Sequence, residues 1–327
     1  MIGWGVLGCG DITDNRGAPA INALEGSRLV SFQSRTASQA EAFARRHGAA
    51  RYTTSRAELL ADPEVTAVYV ATEHHRHAED VIAAAEAGKH VLCEKPMANS
   101  VADCRRMIEA CRSNGVALQI AYYRRYYPKM LRVKELLDSG AIGRPVSVQI
   151  HYSQRLEPER VTPDNWRLRA EHSGGGALVD TGSHRLDLLC WLLGEPESVY
   201  AFAEREELEM DAPDCESLLI RMASGVHAVT VHGYRTPSED RFDIVGTEGI
   251  LSATSLDEPT LRLSTAAGEQ TWELPRHANV HYPLFEDFAR RLAAGEPPRY
   301  TGEDGLQASR IIEAAYRSAR SAQLEQV

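Results

Sequence analysis

Residues 2–13 read Ile2-Gly3-Trp4-Gly5-Val6-Leu7-Gly8-Cys9-Gly10-Asp11-Ile12-Thr13. An apolar run closes on Gly8-Cys9-Gly10, and a helix-forming stretch follows. A strand that ends at once in a Gly-x-Gly turn has the form of a phosphate-binding loop. The turn is tight and its backbone must approach a pyrophosphate closely, so Gly8 and Gly10 carry no Cβ. The helix then offers the unpaired N–H groups near Asp11 and Ile12, and the positive end of its dipole, to the phosphates. The usual third glycine, which serves close helix–strand packing, is replaced by Thr13.

Outward from this loop, strand-like runs at 28–33, Val65–Ala71, His90–Cys93 and Val116–Ala121 alternate with alanine-rich amphipathic stretches at Ser38–His47, His75–Ala87 and Val101–Ser113. Short buried runs alternating with helices predict a mostly parallel, doubly wound α/β Rossmann domain. After Pro128 the rhythm changes. A helix at Lys129–Asp138 and a strand at Val146–Tyr152 lead into an irregular stretch, 153–173, that carries Pro158, Pro163 and Trp166. A helix follows Gly174-Gly175-Gly176 to about Leu193, strand-like runs fill Val199–Leu274, and two helices near 282–294 and 303–322 close the chain. Strands without intervening helices predict an α+β domain built on a large, mainly antiparallel open sheet. The expected division is 1–122 for the dinucleotide domain and 123–327 for substrate binding and oligomerisation, with the last helix returning to the first domain.

Thirty-six Lys and Arg against 46 Asp and Glu leave a net charge of −10. That balance argues against nucleic acid or an anionic membrane as partner. No run approaches the roughly 20 apolar residues of a membrane helix. No basic segment precedes Ile2, so no secretory leader is expected. Six scattered cysteines form no CxxC pair, which fits a reducing cytoplasm and neither a disulfide framework nor a zinc site. His74, His75 and His77 lack a completing carboxylate or cysteine, so no metal is expected.

An NAD-preferring fold places an acid after its second strand, on the ribose hydroxyls. Here that strand runs out at Gln33-Ser34-Arg35. A hydroxyl and a guanidinium suit a 2′-phosphate, which an acid would repel. NADP(H) is therefore the expected cofactor, with NAD(H) as the alternative.

Hydride transfer to a carbonyl creates an alkoxide and calls for a proton donor or a cation; alcohol oxidation calls for a base. Lys95, in Glu94-Lys95-Pro96, follows the strand at 90–93, at the edge where open α/β sheets bind ligands. Glu94 can tune its ammonium, and Pro96 restricts its backbone. Asp180 and His184, four apart in a helix, share a face, and an aspartate can fix a histidine's tautomer. Asp187 continues that face.

Glu94-Lys95-Pro96 and Gly174-Gly175-Gly176-Ala177-Leu178-Val179-Asp180-Thr181-Gly182-Ser183-His184, with the first glycines, resemble the Gfo/Idh/MocA oxidoreductases over nearly the whole chain. Ala71-Thr72 with His77 is similar to that family's A-T-P-N-x-x-H loop, Glu73 and His74 replacing Pro-Asn. Arg124-Arg125-Tyr126 with Pro128 is similar to R-R-F-x-P, with Tyr123 where Asn is frequent; Trp166-Arg167 and Thr301-Gly302-Glu303-Asp304 resemble its W-R and T-G-E-D elements. The resemblance implies that Thr72, His77, Glu94, Arg125, Trp166 and Arg167 line the cofactor and that Lys95, Asp180 and His184 handle the proton. It implies an NADP(H)-dependent oxidoreductase acting on a sugar, polyol or related hydroxy-carbonyl compound. The alternatives are a glycosidase using bound NAD in a transient oxidation, and a non-catalytic dinucleotide or sugar sensor. In relatives a partner subunit covers the open sheet, which implies a homodimer or homotetramer.

Overall fold

The computed structural model describes every residue except 158, 160, 163, 164 and 206–210. Pro158 and Pro163, expected in the irregular stretch, thus lie outside the described residues. The chain divides into two compact units, Met1–Tyr123 with His277–Leu306 and Arg124–Arg276 with Gln307–Val327. The expected division assigned 277–306 to the second domain; these residues belong instead to the first.

The first unit holds a six-stranded parallel sheet: β1 (Ile2–Leu7), β2 (Ser27–Gln33), β3 (Arg51–Thr53), β4 (Ala67–Val70), β5 (His90–Cys93) and β6 (Leu118–Ile120), in the order β3-β2-β1-β4-β5-β6. Every residue of β1 is buried. Packing explains why 277–306 joins this unit. Phe285 and Phe288, in the helix Tyr282–Ala293, bring their rings within 5.5 and 5.9 Å of Trp4, and Phe285 meets Tyr69 edge-on at 5.0 Å. At the start of the next helix a Cβ on Gly302 would meet Ile108 and Leu118 at 2.9 Å, and one on Gly305 would meet Ile120 at 2.4 Å. The Asp304 carboxylate accepts the Thr301 N–H at 2.7 Å. The T-G-E-D element is therefore a helix cap that lets the helix lie close to β6.

The second unit holds a nine-stranded sheet: β7 (Pro145–Ser153), β8 (Pro196–Glu204), β9 (Cys215–Met222), β10 (His227–Gly233), β11 (Glu239–Gly246), β12 (Gly249–Ser252), β13 (Thr260–Thr265), β14 (Gly268–Glu273) and β15 (Glu325–Gln326). Its order is β14-β13-β12-β11-β7-β10-β9-β8-β15, antiparallel throughout except for β7 with β10. Alternate residues of β9 are buried: Glu216, Leu218, Ile220 and Met222. Leu219 faces the other way with Val229, its register partner, and both are more than half exposed. Beside the sheet, the Lys129 ammonium lies among the carbonyl oxygens of Ala253, Ser255, Glu258 and Thr260 at 2.5–3.4 Å, tying down residues 253–260. Among the described residues no helix is long and apolar enough to cross a membrane.

Candidate functional site

In the first unit the expected cofactor residues lie on loops that leave the carboxyl ends of the strands, and the strand order reverses between β1 and β4. Gly8, just after β1, has φ +102°, and a Cβ there would lie 2.4 Å from the Ala71 carbonyl oxygen. Only glycine suits that position. A Cβ on Gly10, by contrast, would meet no protein atom within 4 Å. Packing does not demand that second glycine, and the open backbone fits a pyrophosphate laid against it.

The missing third glycine has a structural answer. Thr13 is fully buried, and its hydroxyl donates to the Gly8 carbonyl at 2.8 Å. Residues Thr13–Gly17 form a π-turn, which inserts a residue into the helix. Gly17 then takes the packing role, since a Cβ there would meet the Tyr69 ring at 2.3 Å. Gln39 was not expected. It donates to the Cys9 carbonyl at 2.7 Å and accepts from Ser34 Oγ at 2.7 Å, linking the glycine loop to the end of β2. Arg35 is largely exposed and pairs with Glu73 at 3.1 Å.

The loops after β4 and β5 are clasped together. His77 is wholly buried, with Nδ1 3.0 Å from the Pro96 carbonyl oxygen and Nε2 3.1 Å from that of Thr72. Burial pushes its imidazole below the usual range, partly offset by those carbonyls. A neutral imidazole carries one N–H, so one nitrogen donates to a backbone oxygen while the other faces the second, and the ring sits between the two loops. The Thr72 hydroxyl donates to the buried Asp80 at 2.8 Å, and Arg56 neutralises that acid at 2.7 Å. Glu94 is buried as well. Its Oε1 accepts from Tyr69 at 2.7 Å and faces His281 Nε2 at 3.0 Å, and its Oε2 accepts the Lys95 N–H at 3.2 Å. Burial alone would raise the carboxyl, but the bonds from His281 and Tyr69 and the nearby Lys95 charge hold it below the ordinary carboxylate range. Glu94 is thus an ionised anchor for the Lys95 backbone.

In the second unit Gly175 and Gly176 allow close packing of the protein's own chain. A Cβ on Gly175 would lie 2.3 Å from the Tyr316 hydroxyl, and one on Gly176 would lie 1.7 Å from the Pro213 carbonyl oxygen. Tyr316 OH accepts the Gly176 N–H at 3.1 Å and donates to Glu216 at 3.0 Å. Asp180 stands in a second π-turn, Leu178–Gly182, which runs into the helix Ser183–Leu193 that begins with Ser183 and His184. Such turns are frequent at functional sites. Asp180 is half-buried and accepts from the Tyr234 hydroxyl at 3.0 Å; His184 is buried. His232, fully buried, presses its ring on Gly182, where a Cβ would lie 3.0 Å from Nδ1. Burial and the Arg185 charge lower the His232 pKa to about 3.

Asp187, on the face that follows Asp180 and His184, is gripped by Arg125 with Nε at 2.9 Å and Nη2 at 2.7 Å, both residues almost fully buried. That bidentate pair gives Arg125 a structural duty. Trp166 and Arg167 stack on each other, the guanidinium 4.6 Å from the ring centroid. Neighbouring Leu168 packs with Ala177 and Tyr234. Sequence reading missed Tyr69, His281, Tyr234, Glu216 and Tyr316. Each acts through a partner distant in sequence, so no local signal marks it.

Residues 2–122 match an oxidoreductase family with an NAD-binding Rossmann fold, and residues 130–252 match the GFO/IDH/MocA C-terminal domain. The chain is 31% identical to the 1,5-anhydro-D-fructose reductase of Ensifer adhaerens, covering 99% of this chain and 98% of that one. It is also 31% identical to D-xylose 1-dehydrogenase (NADP(+)) 2 of Haloferax volcanii, over 97% of both. The aldose–aldose oxidoreductase of Caulobacter crescentus superimposes with a TM-score of 0.91 at 30% identity, covering 100% of this chain and 99% of that one. This chain therefore belongs to the GFO/IDH/MocA family of oxidoreductases.

Proposed function

We propose that the protein is an NADP(H)-preferring oxidoreductase that exchanges a hydride with a sugar, polyol or related hydroxy-carbonyl compound. The observation that carries this reading is the carboxyl edge of the first sheet. Gly8 and Gly10 after β1, Thr72 after β4 and Glu94-Lys95 after β5 all stand on that edge, beside the reversal of strand order where such sheets bind ligands. The NADP preference rests on the absence of an acid at Gln33-Ser34-Arg35 and on the exposed Arg35 guanidinium. The relatives from Ensifer and Haloferax, by their names, act on an anhydro sugar and an aldose, the second with NADP(+).

Bound nicotinamide supplies or accepts the hydride. The chain's own task is the proton. Lys95, its backbone fixed by Glu94, donates to or polarises the substrate oxygen as negative charge develops. Asp180, held by Tyr234, and His184 supply the second acid–base pair.

Phe202, Leu219, Val229 and Ile250 leave large apolar side chains exposed on one face of the nine-stranded sheet. A second copy covering this face gives a homodimer or homotetramer. Six free cysteines fit the cytoplasm.

The test begins with fluorescence titration of NADPH and of NADH. NADPH should bind at least about tenfold tighter, 1.4 kcal/mol. Turnover is then measured for 1,5-anhydro-D-fructose with NADPH and for D-xylose with NADP(+). Lys95→Met should lower kcat by about a hundredfold or more while NADPH affinity stays. Failure to bind either nucleotide would sink the reading.

A further inference from the structure

We propose that His281, together with Tyr69, is a positioning residue for Lys95, acting through the Glu94 carboxylate. The inference rests on the proton-handling role given to Lys95 above. No motif marks His281; it lies 187 residues from Glu94 in the chain. It nevertheless reaches Glu94 Oε1 with Nε2 at 3.0 Å, the oxygen that also accepts from the Tyr69 hydroxyl at 2.7 Å. The other oxygen, Oε2, accepts the backbone N–H of Lys95 at 3.2 Å. One rigid carboxylate thus has two side-chain donors on one side and the lysine's own peptide on the other.

Two further contacts fix the histidine. Its ring lies 4.5 Å from that of Tyr123, tilted by 33°. Its backbone N–H donates to Asn279 Oδ1 at 3.0 Å, and Asn279 Nδ2 in turn donates to the Arg16 carbonyl at 2.9 Å. The segment at 279–281 therefore ties the π-turn behind the glycine loop, the end of β6 and the Lys95 loop into one assembly. The contact with Glu94 places the donor on Nε2, while Nδ1 is buried and has no hydrogen-bond partner among the described residues. Removing the Nε2 donor leaves a buried carboxylate short of one bond. The carboxylate is then held by the Tyr69 hydroxyl and the Lys95 N–H alone, and its grip on the Lys95 backbone loosens. Positioning errors of this size cost catalysis far more than binding.

The experiment compares His281→Leu, which removes the donor, with His281→Gln, which restores an N–H at the Nε2 position. Tyr69→Phe is a milder variant that keeps the ring. The first readout needs no substrate: hydrogen exchange of the Lys95 amide, referenced to amides in the helix Val101–Ser113. It should quicken about tenfold or more in His281→Leu and recover in His281→Gln. The second is 1,5-anhydro-D-fructose reduction with NADPH, where kcat should fall about tenfold to a hundredfold in His281→Leu with the NADPH Kd unchanged. Tyr69→Phe should show the same split, to a smaller degree. Equal effects of Leu and Gln, or unchanged amide exchange in a folded His281→Leu protein, would overturn the inference. An inactive Lys95→Met beside a fully active His281→Leu would overturn it alone, whereas an active Lys95→Met would overturn the reading of Lys95 first.

Discussion

Glu94 and Glu216, one in each unit, are hidden to a similar degree, 5% and 1% exposed. Each stands behind a motif that the sequence marks as functional. Burial pushes both carboxyls toward the neutral form, yet they end in opposite charge states. Glu94 is met by His281, Tyr69 and the Lys95 N–H, with the Lys95 charge nearby, and is held below the ordinary range. Glu216 is met by Tyr316 and the Leu178 backbone, and neighbouring Asp214 adds negative charge. Its pKa rises to about 8, burial being the largest cause. Depth does not decide the charge of a buried acid; the number of donors and the sign of its neighbours do. The ionised acid anchors a lysine, and the neutral acid props a glycine turn.

The pH dependence of stability separates the two most widely. Glu216 has a folded pKa of about 8 against an ordinary 4.5, so the folded state binds the extra proton between those values. Its contribution is complete below pH 4.5 and is lost as pH rises toward 8. Glu216→Gln cannot ionise and should remove that decline. Relative to the parent, the variant should gain on the order of 3 kcal/mol between pH 5 and 8 in urea unfolding. A parallel pair of stability curves would show that Glu216 is ionised at neutral pH and that the contrast with Glu94 is false.

The same substitution at Glu94 should have the opposite sign. The Glu94 pKa is lowered on folding, so its contribution is present above the ordinary pKa and is lost as pH falls through the folded value. Glu94→Gln at pH 7 gives up the charge-assisted bonds from His281 and Tyr69, and should cost about 2 kcal/mol. Urea unfolding at pH 7 checks this; a loss no greater than that of Glu216→Gln would erase the distinction.

How far the chain could be read in advance follows the same division between local and distant causes. The places of Gly8, Gly10 and Lys95 just past strand ends were legible because a turn at a strand end is a local event with a local signature. The six-stranded sheet was legible from buried runs alternating with helices, although β3, three residues with two exposed, is too short and polar to register. Gly17 was hidden because the π-turn displaces the packing glycine from its usual spacing. Gly175 and Gly176 were visible, but their reason was not, since Tyr316 and Pro213 explain them only once the chain is folded. Arg125 and Asp187 each looked functional alone, and only their pairing shows a structural bond. His281 and the whole 277–306 return depend on rings that meet Trp4, Tyr69 and Tyr123 across the fold.

A third acid extends the comparison to the surface, where effects are smallest. Glu73 replaces the proline of the resembling loop and pairs with Arg35 at 3.1 Å, the arginine side chain 76% exposed and the glutamate 17%. Water screens such a pair, so it is worth about 1 kcal/mol or less. A 2′-phosphate offers the guanidinium a stronger, doubly charged partner, but Glu73 competes for it and repels the phosphate. Glu73→Gln should therefore tighten NADPH binding by about threefold to fivefold, within that 1 kcal/mol, and leave NADH unchanged. Raising the salt concentration should shrink the difference, since the interaction lies in solvent. If Glu73→Gln shifts NADPH and NADH alike, the effect belongs to loop geometry and Arg35 does not read the 2′-phosphate. If NADH binding weakens instead, the carboxylate had been accepting the ribose hydroxyls, and the cofactor preference must be reassigned to NAD.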